Sequence, residues 1–237
     1  MTFILAMLLA TTTVPSDPRL ATVRAGLAQV VERAAQDGLP TDVLVAKIQE
    51  ALAKSVPPPR ILAVVHTLAS DLASARAFAA PLMASGKEPQ VALLRALAET
   101  KAAGVALPQT TALVRTGGDR AVKAVQVLTD LATRGYPATN AAAVVALVLT
   151  RDPLALPKLA GNLDRLRRAQ GLTELQALDD LASAFERTDS TLAAPTLGEA
   201  LQHIYPSAEP GNSPTALERS PNRNSGVHNH GKGHGDY

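Results

Sequence analysis

Hydrophobic residues recur at spacings of three and four along most of this chain. The first such stretch carries Leu20, Val23, Leu27, Val30, Val31 and Ala34. A second stretch carries Leu44, Val45, Ile48 and Leu52, and a third carries Ile61, Leu62, Val65, Leu68, Leu72 and Ala75. Because about 3.6 residues make one turn of an α-helix, side chains at these spacings share one helix face. Each stretch therefore predicts a helix with one buried face.

Glycine and proline separate these stretches. Gly38 follows the first stretch and Pro40 opens the second, and Gly135 and Pro137 repeat that order. Glycine accepts the left-handed conformation that ends helices, whereas proline is tolerated in the first helical turn. Polar residues mark further helix starts, where we expect Asp119 to cap one helix and capping boxes to begin two others, at Thr173–Gln176 and Thr196–Glu199.

The pattern predicts an all-α domain over residues 18–205, with eight or nine short helices and no strand. Connections of about two to six residues force neighbouring helices to run antiparallel. Two architectures satisfy this pattern, an irregular array of helical hairpins and a compact multi-helix bundle. The segment Ala141–Leu149 is apolar on almost every side, so we expect it to be the most buried helix.

The N-terminal segment is uniformly apolar from Phe3 to Ala10. A run of this length fits the core of a secretory signal, and it is much shorter than the ~20 residues that span a bilayer. We therefore predict a leader over residues 1–15, a periplasmic or secreted protein, and no transmembrane span. The alternative is that this run forms an ordinary core helix, in which case the protein is cytoplasmic.

The C-terminal segment, residues 206–237, is rich in proline and glycine and poor in aliphatic residues. Such a composition cannot bury enough apolar surface to offset the entropy of ordering, so we predict a disordered tail. Its last ten residues hold His228, His230, His234 and Asp236, which could supply imidazole and carboxylate ligands to copper, nickel or zinc. Binding would be weak because a flexible segment loses entropy around an ion. The alternative is a solvated tail that binds no metal.

Composition excludes several chemistries. The chain has no cysteine, which rules out disulfides, thiolate nucleophiles and cysteine-bound zinc. Its net charge of +2 and its 3% aromatic content argue against a nucleic-acid partner. A local basic patch nevertheless offers contacts to an anionic surface such as lipid headgroups, a wall polymer or nucleic acid, through Arg151, Lys158, Arg165, Arg167 and Arg168. The alternative is an ordinary solvated helix surface, on which Asp164 and Arg168 form an i,i+4 pair.

Candidate catalytic residues do not form a constellation in the sequence. We expect His66 to be a half-buried, hydrogen-bonded residue and His203 to lie at a helix C-terminus, where a cationic imidazole is favoured. Asp179 and Asp180 are adjacent, so on a helix they point about 100° apart and do not converge on one substrate atom. They belong with Glu186 to a solvated face.

These observations predict a non-catalytic protein. The function that fits them is an exported helical scaffold or interaction protein of the bacterial-type cell envelope, with a protein partner. The alternative function is weak transition-metal binding through the histidine-containing tail.

Overall fold

Helices account for almost all of the chain that the structure describes. The structure is a computed structural model, and it describes residues 13–83, 88–188 and 196–204. Within these ranges the secondary structure is helical and contains no strand, which confirms the all-α prediction. The chain divides into two units, Met1–Ile204 and Tyr205–Tyr237. The second unit, with the predicted tail, lies outside the described residues, as does most of the predicted leader.

Ten α-helices lie in the described ranges: α1 Arg24–Gln36, α2 Thr41–Ala53, α3 Pro58–Ala79, α4 Val91–Ala102, α5 Thr111–Gly117, α6 Ala121–Thr133, α7 Ala138–Arg151, α8 Leu159–Gln170, α9 Glu174–Thr188 and α10 Leu197–Ile204. Short 3-10 helices flank several of them, at Pro18–Leu20, Ala80–Leu82, Leu107–Thr110, Gly118–Arg120 and Pro153–Lys158. Five of the connections between α-helices have three or four residues, as predicted, whereas those before α4, α5, α8 and α10 are longer than the predicted six residues.

Helix ends follow the predicted signals with two exceptions. Gly171 adopts a φ of 66° after α8, and both predicted capping boxes form, since Thr173 and Thr196 each exchange hydrogen bonds with the residue three positions later. The prediction that Asp119 caps α6 is wrong, because a 3-10 turn leads directly into α6. No glycine ends α2. Ser55 takes a φ of 54° instead, a conformation that costs more for a residue with a Cβ atom.

Contacts between the helices follow their order in the chain. The main contacts of each α-helix are with the next α-helix, with the next but one, or with the short 3-10 helices beside them. One row of neighbours contains α5, α7 and α9, and the other contains α4, α6 and α8. Packing of this kind, in which each unit contacts its neighbours, is that of an irregular array of helical hairpins.

The core of the described domain is mainly aliphatic. Leu27, Leu44, Leu128 and Leu163 are fully buried in α1, α2, α6 and α8, and Phe185 of α9 is the largest fully buried side chain among the described residues. Helix α7 packs on α5, α6 and α9, and it buries Ala141, Ala142, Val144, Val145, Val148 and Leu149. Ala143 is exposed, so the apolar run leaves one part of its surface in solvent.

Helix α3 is the longest of the described helices, with 22 residues. It packs on α1, α2 and α4. By length and composition, the helical segment Pro58–Leu82 is the one candidate for a membrane span within the described ranges, with a mean hydropathy of 1.3. The absence of a transmembrane span therefore stays a prediction. The same segment carries Asp71, which forms an ion pair with Lys101 of α4.

Candidate functional site

A groove runs over the surface formed by α2, α3 and α4. Both α2 and α4 pack on α3, and the space between them has a volume of about 440 Å³. Helix α3 forms its floor, where Val64 remains 41% exposed. Seven of its thirteen lining residues are apolar, among them Val43, Ala46, Ala63, Val64, Leu68 and Ala98. Such a surface can seat apolar side chains from outside the domain.

Each of the two rims of this groove carries charged residues that form ion pairs. On the α2 side, Glu50 accepts hydrogen bonds from Lys47 at 2.9 Å and from Lys54 at 2.5 Å. These hydrogen bonds, that from Lys54 first, lower the pKa of Glu50 to about 2. On α4, Arg95 Nε lies 2.9 Å from Glu99 Oε1. Because each rim pairs its own charges, the groove presents both signs side by side and does not form a field of one sign.

A serine, a lysine and an aspartate meet where α3 packs on α4. Lys101 Nζ lies 3.0 Å from the buried carboxylate of Asp71 and donates to Ser74 Oγ at 2.9 Å. The hydroxyl of Ser74 donates in turn to the carbonyl of Ser70. An ammonium group paired with a carboxylate cannot accept the serine proton, so this trio lacks the general base that a nucleophilic serine needs. Its geometry fits a link between α3 and α4.

A polar network that the sequence did not reveal joins the α6–α7 connection to α8. The Asp164 carboxylate accepts from Tyr136 Oη at 2.9 Å and from Arg134 at 2.6 Å, and Arg134 also binds Asp130. Burial raises the pKa of Asp164, but these two hydrogen bonds outweigh it, and the pKa lies below its ordinary value. Burial and then the bond to Asp164 raise the pKa of Tyr136.

The predicted pair between Asp164 and Arg168 is wrong. Arg168 Nε donates to the backbone carbonyl of Asp164, because Arg134 and Tyr136 occupy the carboxylate. Arg167 pairs with Glu174 at the start of α9. The remaining residues of the predicted basic patch are exposed at Lys158, Arg165 and Arg168, while Arg151 is half-buried.

The predicted half-burial of His66 is also wrong. Its side chain is exposed and lines a second groove of about 410 Å³ between α1 and α3. His203 lies in α10, and its side chain is outside the described part of the structure. Asp179 and Glu186 are exposed and Asp180 is half-buried in α9, where Asn140 approaches Asp179 at 3.5 Å.

The predicted metal ligands His228, His230, His234 and Asp236 lie outside the described residues. Across residues 13–83, 88–188 and 196–204, no three histidine, aspartate or glutamate side chains cluster closely enough to hold a metal ion. Metal binding by the tail therefore stays a prediction.

Comparisons with protein-family models, with curated proteins and with solved structures gave no match. The groove between α2 and α4 combines apolar lining residues with rims of paired charge.

Proposed function

We propose that this chain is an exported, non-catalytic interaction protein of the bacterial-type cell envelope, and that its groove between α2 and α4 receives an apolar helical segment of a partner protein. The observation that supports this proposal is the groove itself, an apolar channel of about 440 Å³ in which Val64 remains 41% exposed. Exposed apolar surfaces with polar borders are typical of protein-binding sites.

The shape of the groove favours a helix as its occupant. Its walls are α2 and α4 and its floor is α3, so a bound helix would rest on three helices at once. Small side chains at Ala46, Ala63 and Ala98 permit close approach of a partner backbone. An amphipathic helix binds such a groove through apolar residues spaced three and four apart.

The charges on the rims determine which residues can flank the apolar stripe of the partner helix. Lys47 and Glu50 lie on one rim, and Arg95 and Glu99 lie on the other. Each pair is already neutralised within its own helix, so a strongly acidic or strongly basic partner gains little from either rim. The partner segment that fits has an apolar stripe bordered by polar residues or by charges of both signs.

The location of the protein rests on the leader. The apolar run Phe3–Ala10 has the length of a signal core, and the absence of cysteine throughout the chain is compatible with an oxidising compartment. Sequencing the N-terminus of the protein recovered from its host, with the compartment recorded, tests this part. A mature chain that begins after about residue 10 supports export, and an intact first residue in the cytoplasm contradicts it.

The groove is tested by a photo-crosslinking amino acid placed at Val64 and, as a control, at Val91. Both side chains are exposed, by 41% and 49%, but Val91 does not line the groove. We expect a discrete adduct at Val64 in living host cells and none at Val91. Mass spectrometry should place the link in a helical segment of another protein with an apolar stripe.

A second experiment adds a charge to the groove floor. The exposed residue Thr67 also lines the groove, so Thr67→Glu should abolish the adduct at Val64 while changing the free energy of unfolding by less than about 0.5 kcal/mol. The same adducts at both positions, an adduct that survives Thr67→Glu, or an adduct to a second copy of the chain would contradict the proposal.

A further inference from the structure

Helix α8 exposes one stripe of cationic side chains. Lys158, Gly161, Arg165 and Arg168 follow one another at spacings of three, four and three, and all four residues are exposed. On α8 these spacings place Gly161, Arg165 and Arg168 on one helix face, and Lys158 immediately precedes the helix. Within the part of the chain that the structure describes, neither Lys158 nor Arg165 has an ion pair, and Arg168 donates to a backbone carbonyl.

Lys123 adds a further exposed cation on the neighbouring helix α6. Helices α6 and α8 are in contact, and the bond from Arg134 to Asp164 fixes the end of α6 against the middle of α8. Lys123 is exposed and lacks an ion pair within the described ranges. We define the basic face as Lys123, Lys158, Arg165 and Arg168.

An exposed leucine lies at one end of the basic face. Leu154, in the 3-10 helix Pro153–Lys158, is 80% exposed, the largest value for a large apolar side chain among the described residues. That 3-10 helix packs on α6, α7 and α8. Leu154 therefore belongs to the same 3-10 helix as Lys158, and that element contacts both helices of the basic face.

The acidic groups at this end do not neutralise the face. The half-buried carboxylate of Asp152 accepts the backbone N–H of Leu197 at 3.0 Å. Asp119 is exposed but follows Arg115 and precedes Arg120, both of which are also exposed. The surface around Leu154 therefore carries a net positive charge.

We propose that the basic face docks on an anionic phospholipid surface and that Leu154 enters the boundary between headgroups and acyl chains. Lysine and arginine side chains near a negatively charged leaflet each contribute to binding, and an exposed aliphatic side chain gains free energy when it leaves water. Leu154 distinguishes a lipid surface from nucleic acid, because a duplex offers phosphate groups to the cations but no hydrocarbon to an aliphatic side chain.

Gly161 allows the charge of the face to be changed in both directions at one position. It lies between Lys158 and Arg165 on α8, and a Cβ atom added there would meet nothing within 4 Å. Full-length Gly161→Lys and Gly161→Glu proteins are compared by sedimentation with vesicles of phosphatidylglycerol and phosphatidylcholine, and with vesicles of phosphatidylcholine alone. For each protein, the partition coefficient on the mixed vesicles is divided by that on phosphatidylcholine vesicles. This ratio removes the contribution of the apolar segment Phe3–Ala10, which acts on both kinds of vesicle.

We expect Gly161→Lys to raise that ratio about five-fold and Gly161→Glu to lower it about five-fold, and salt to weaken both effects. Equal ratios for the two variants would overturn the proposal, and so would a ratio of one for the unmodified chain. If the same charge response appears with duplex DNA and not with vesicles, the face belongs to nucleic acid and the proposal is wrong.

A polarity-sensitive fluorophore tests the role of Leu154. The chain has no cysteine, so Leu154→Cys provides a unique labelling position. Leu175→Cys is the matched control, because Leu175 is 42% exposed but lies in the first turn of α9, next to the C-terminal end of α8. We expect a blue shift on anionic vesicles at position 154 and none at position 175. The same response at both positions, or none at 154, would overturn the insertion of Leu154.

Discussion

The carboxylate of Asp164 connects two parts of the fold. Tyr136 and Arg134 come from the connection between α6 and α7, and Asp164 lies on α8, where its side chain is 15% exposed. Both bonds are to a charged acceptor, and such bonds are stronger than those between neutral groups. A single side chain thus holds the end of one hairpin against the next.

Replacing this residue by Asp164→Asn should lower the free energy of unfolding at pH 7 by about 1–2 kcal/mol, because the charge that accepts both bonds is lost. The pKa of Asp164 lies below its ordinary value in the folded protein. Its stabilising effect is therefore complete above the unfolded pKa, near 3.9, and disappears as the pH falls through the folded pKa. Urea unfolding at about pH 7 and about pH 3 measures this.

The matched control is Asp130→Asn, since Asp130 also binds Arg134 but is 46% exposed. That variant should change stability by less than about 0.5 kcal/mol at either pH. Asp164 would not have the assigned role if the gap between its variant and the unmodified chain were independent of pH, or if both variants behaved alike.

Side-chain partners of this kind are where sequence reasoning failed. The rule for i,i+4 pairs selects Arg168 as the partner of Asp164, because it considers one helix at a time. The actual partners lie 28 and 30 residues earlier in the chain. Their proximity depends on how α6 and α8 pack, and local spacing contains no information about that packing.

At the scale of single helices, the local signals were sufficient for most boundaries. Gly171 and the capping box at Thr173 separate α8 from α9, because both act through backbone geometry within a few residues. Ser55 shows the limit of that reasoning. It occupies a left-handed position that serine does not favour, so the end of α2 is predicted by the proline run at residues 57–59 and not by the residue type at position 55.

Two glycines of the same helix should respond in opposite directions to alanine. Gly161 lies inside α8 with open space around its Cα atom, so Gly161→Ala should stabilise the protein by about 0.5–1 kcal/mol. Gly171 has a φ of 66°, where a Cβ atom is strained, so Gly171→Ala should destabilise it by about 1 kcal/mol.

Thermal or urea unfolding of the two alanine variants provides the measurement, and each is the control for the other. A shift in the same direction for both would show that the end of α8 does not require the left-handed conformation assigned to Gly171.

At the scale of the whole molecule, contacts restricted to neighbours in the chain predict local rather than uniform unfolding. Phe185→Ala removes the largest fully buried side chain of α9 and should cost about 3–5 kcal/mol. Because α9 packs on α7, α8 and α10, faster amide hydrogen exchange should appear in those helices and not in α1–α3.

The converse variant is Leu27→Ala in α1, where Leu27 is fully buried. It should accelerate exchange in α1–α3 and leave α9 unchanged, since α1 packs on α2 and α3. A uniform increase in both variants would indicate one cooperative unit and contradict the hairpin array.

The surfaces proposed for binding depend on how several helices pack together, which explains why the sequence predicted them only in part. Lys158, Arg165 and Arg168 lie close together in the chain and were found in the sequence as a local basic patch. Lys123 and Leu154 join them only because α6 and the 3-10 helix Pro153–Lys158 pack beside α8. The groove between α2 and α4 likewise depends on the distance between two helices that both pack on α3.

The distance along the chain between Asp71 and Lys101 matters before the protein folds. Asp71 lies at the centre of the apolar segment Pro58–Leu82, and its partner is 30 residues away in the chain. Under the export proposed above, the Asp71 carboxylate has no ionic partner until α4 forms, and an unpaired aspartate at the midplane adds about 2.5–3.5 kcal/mol to the cost of entering lipid. In an exported chain, the residue that later joins α3 to α4 would therefore oppose arrest of the segment in the bilayer.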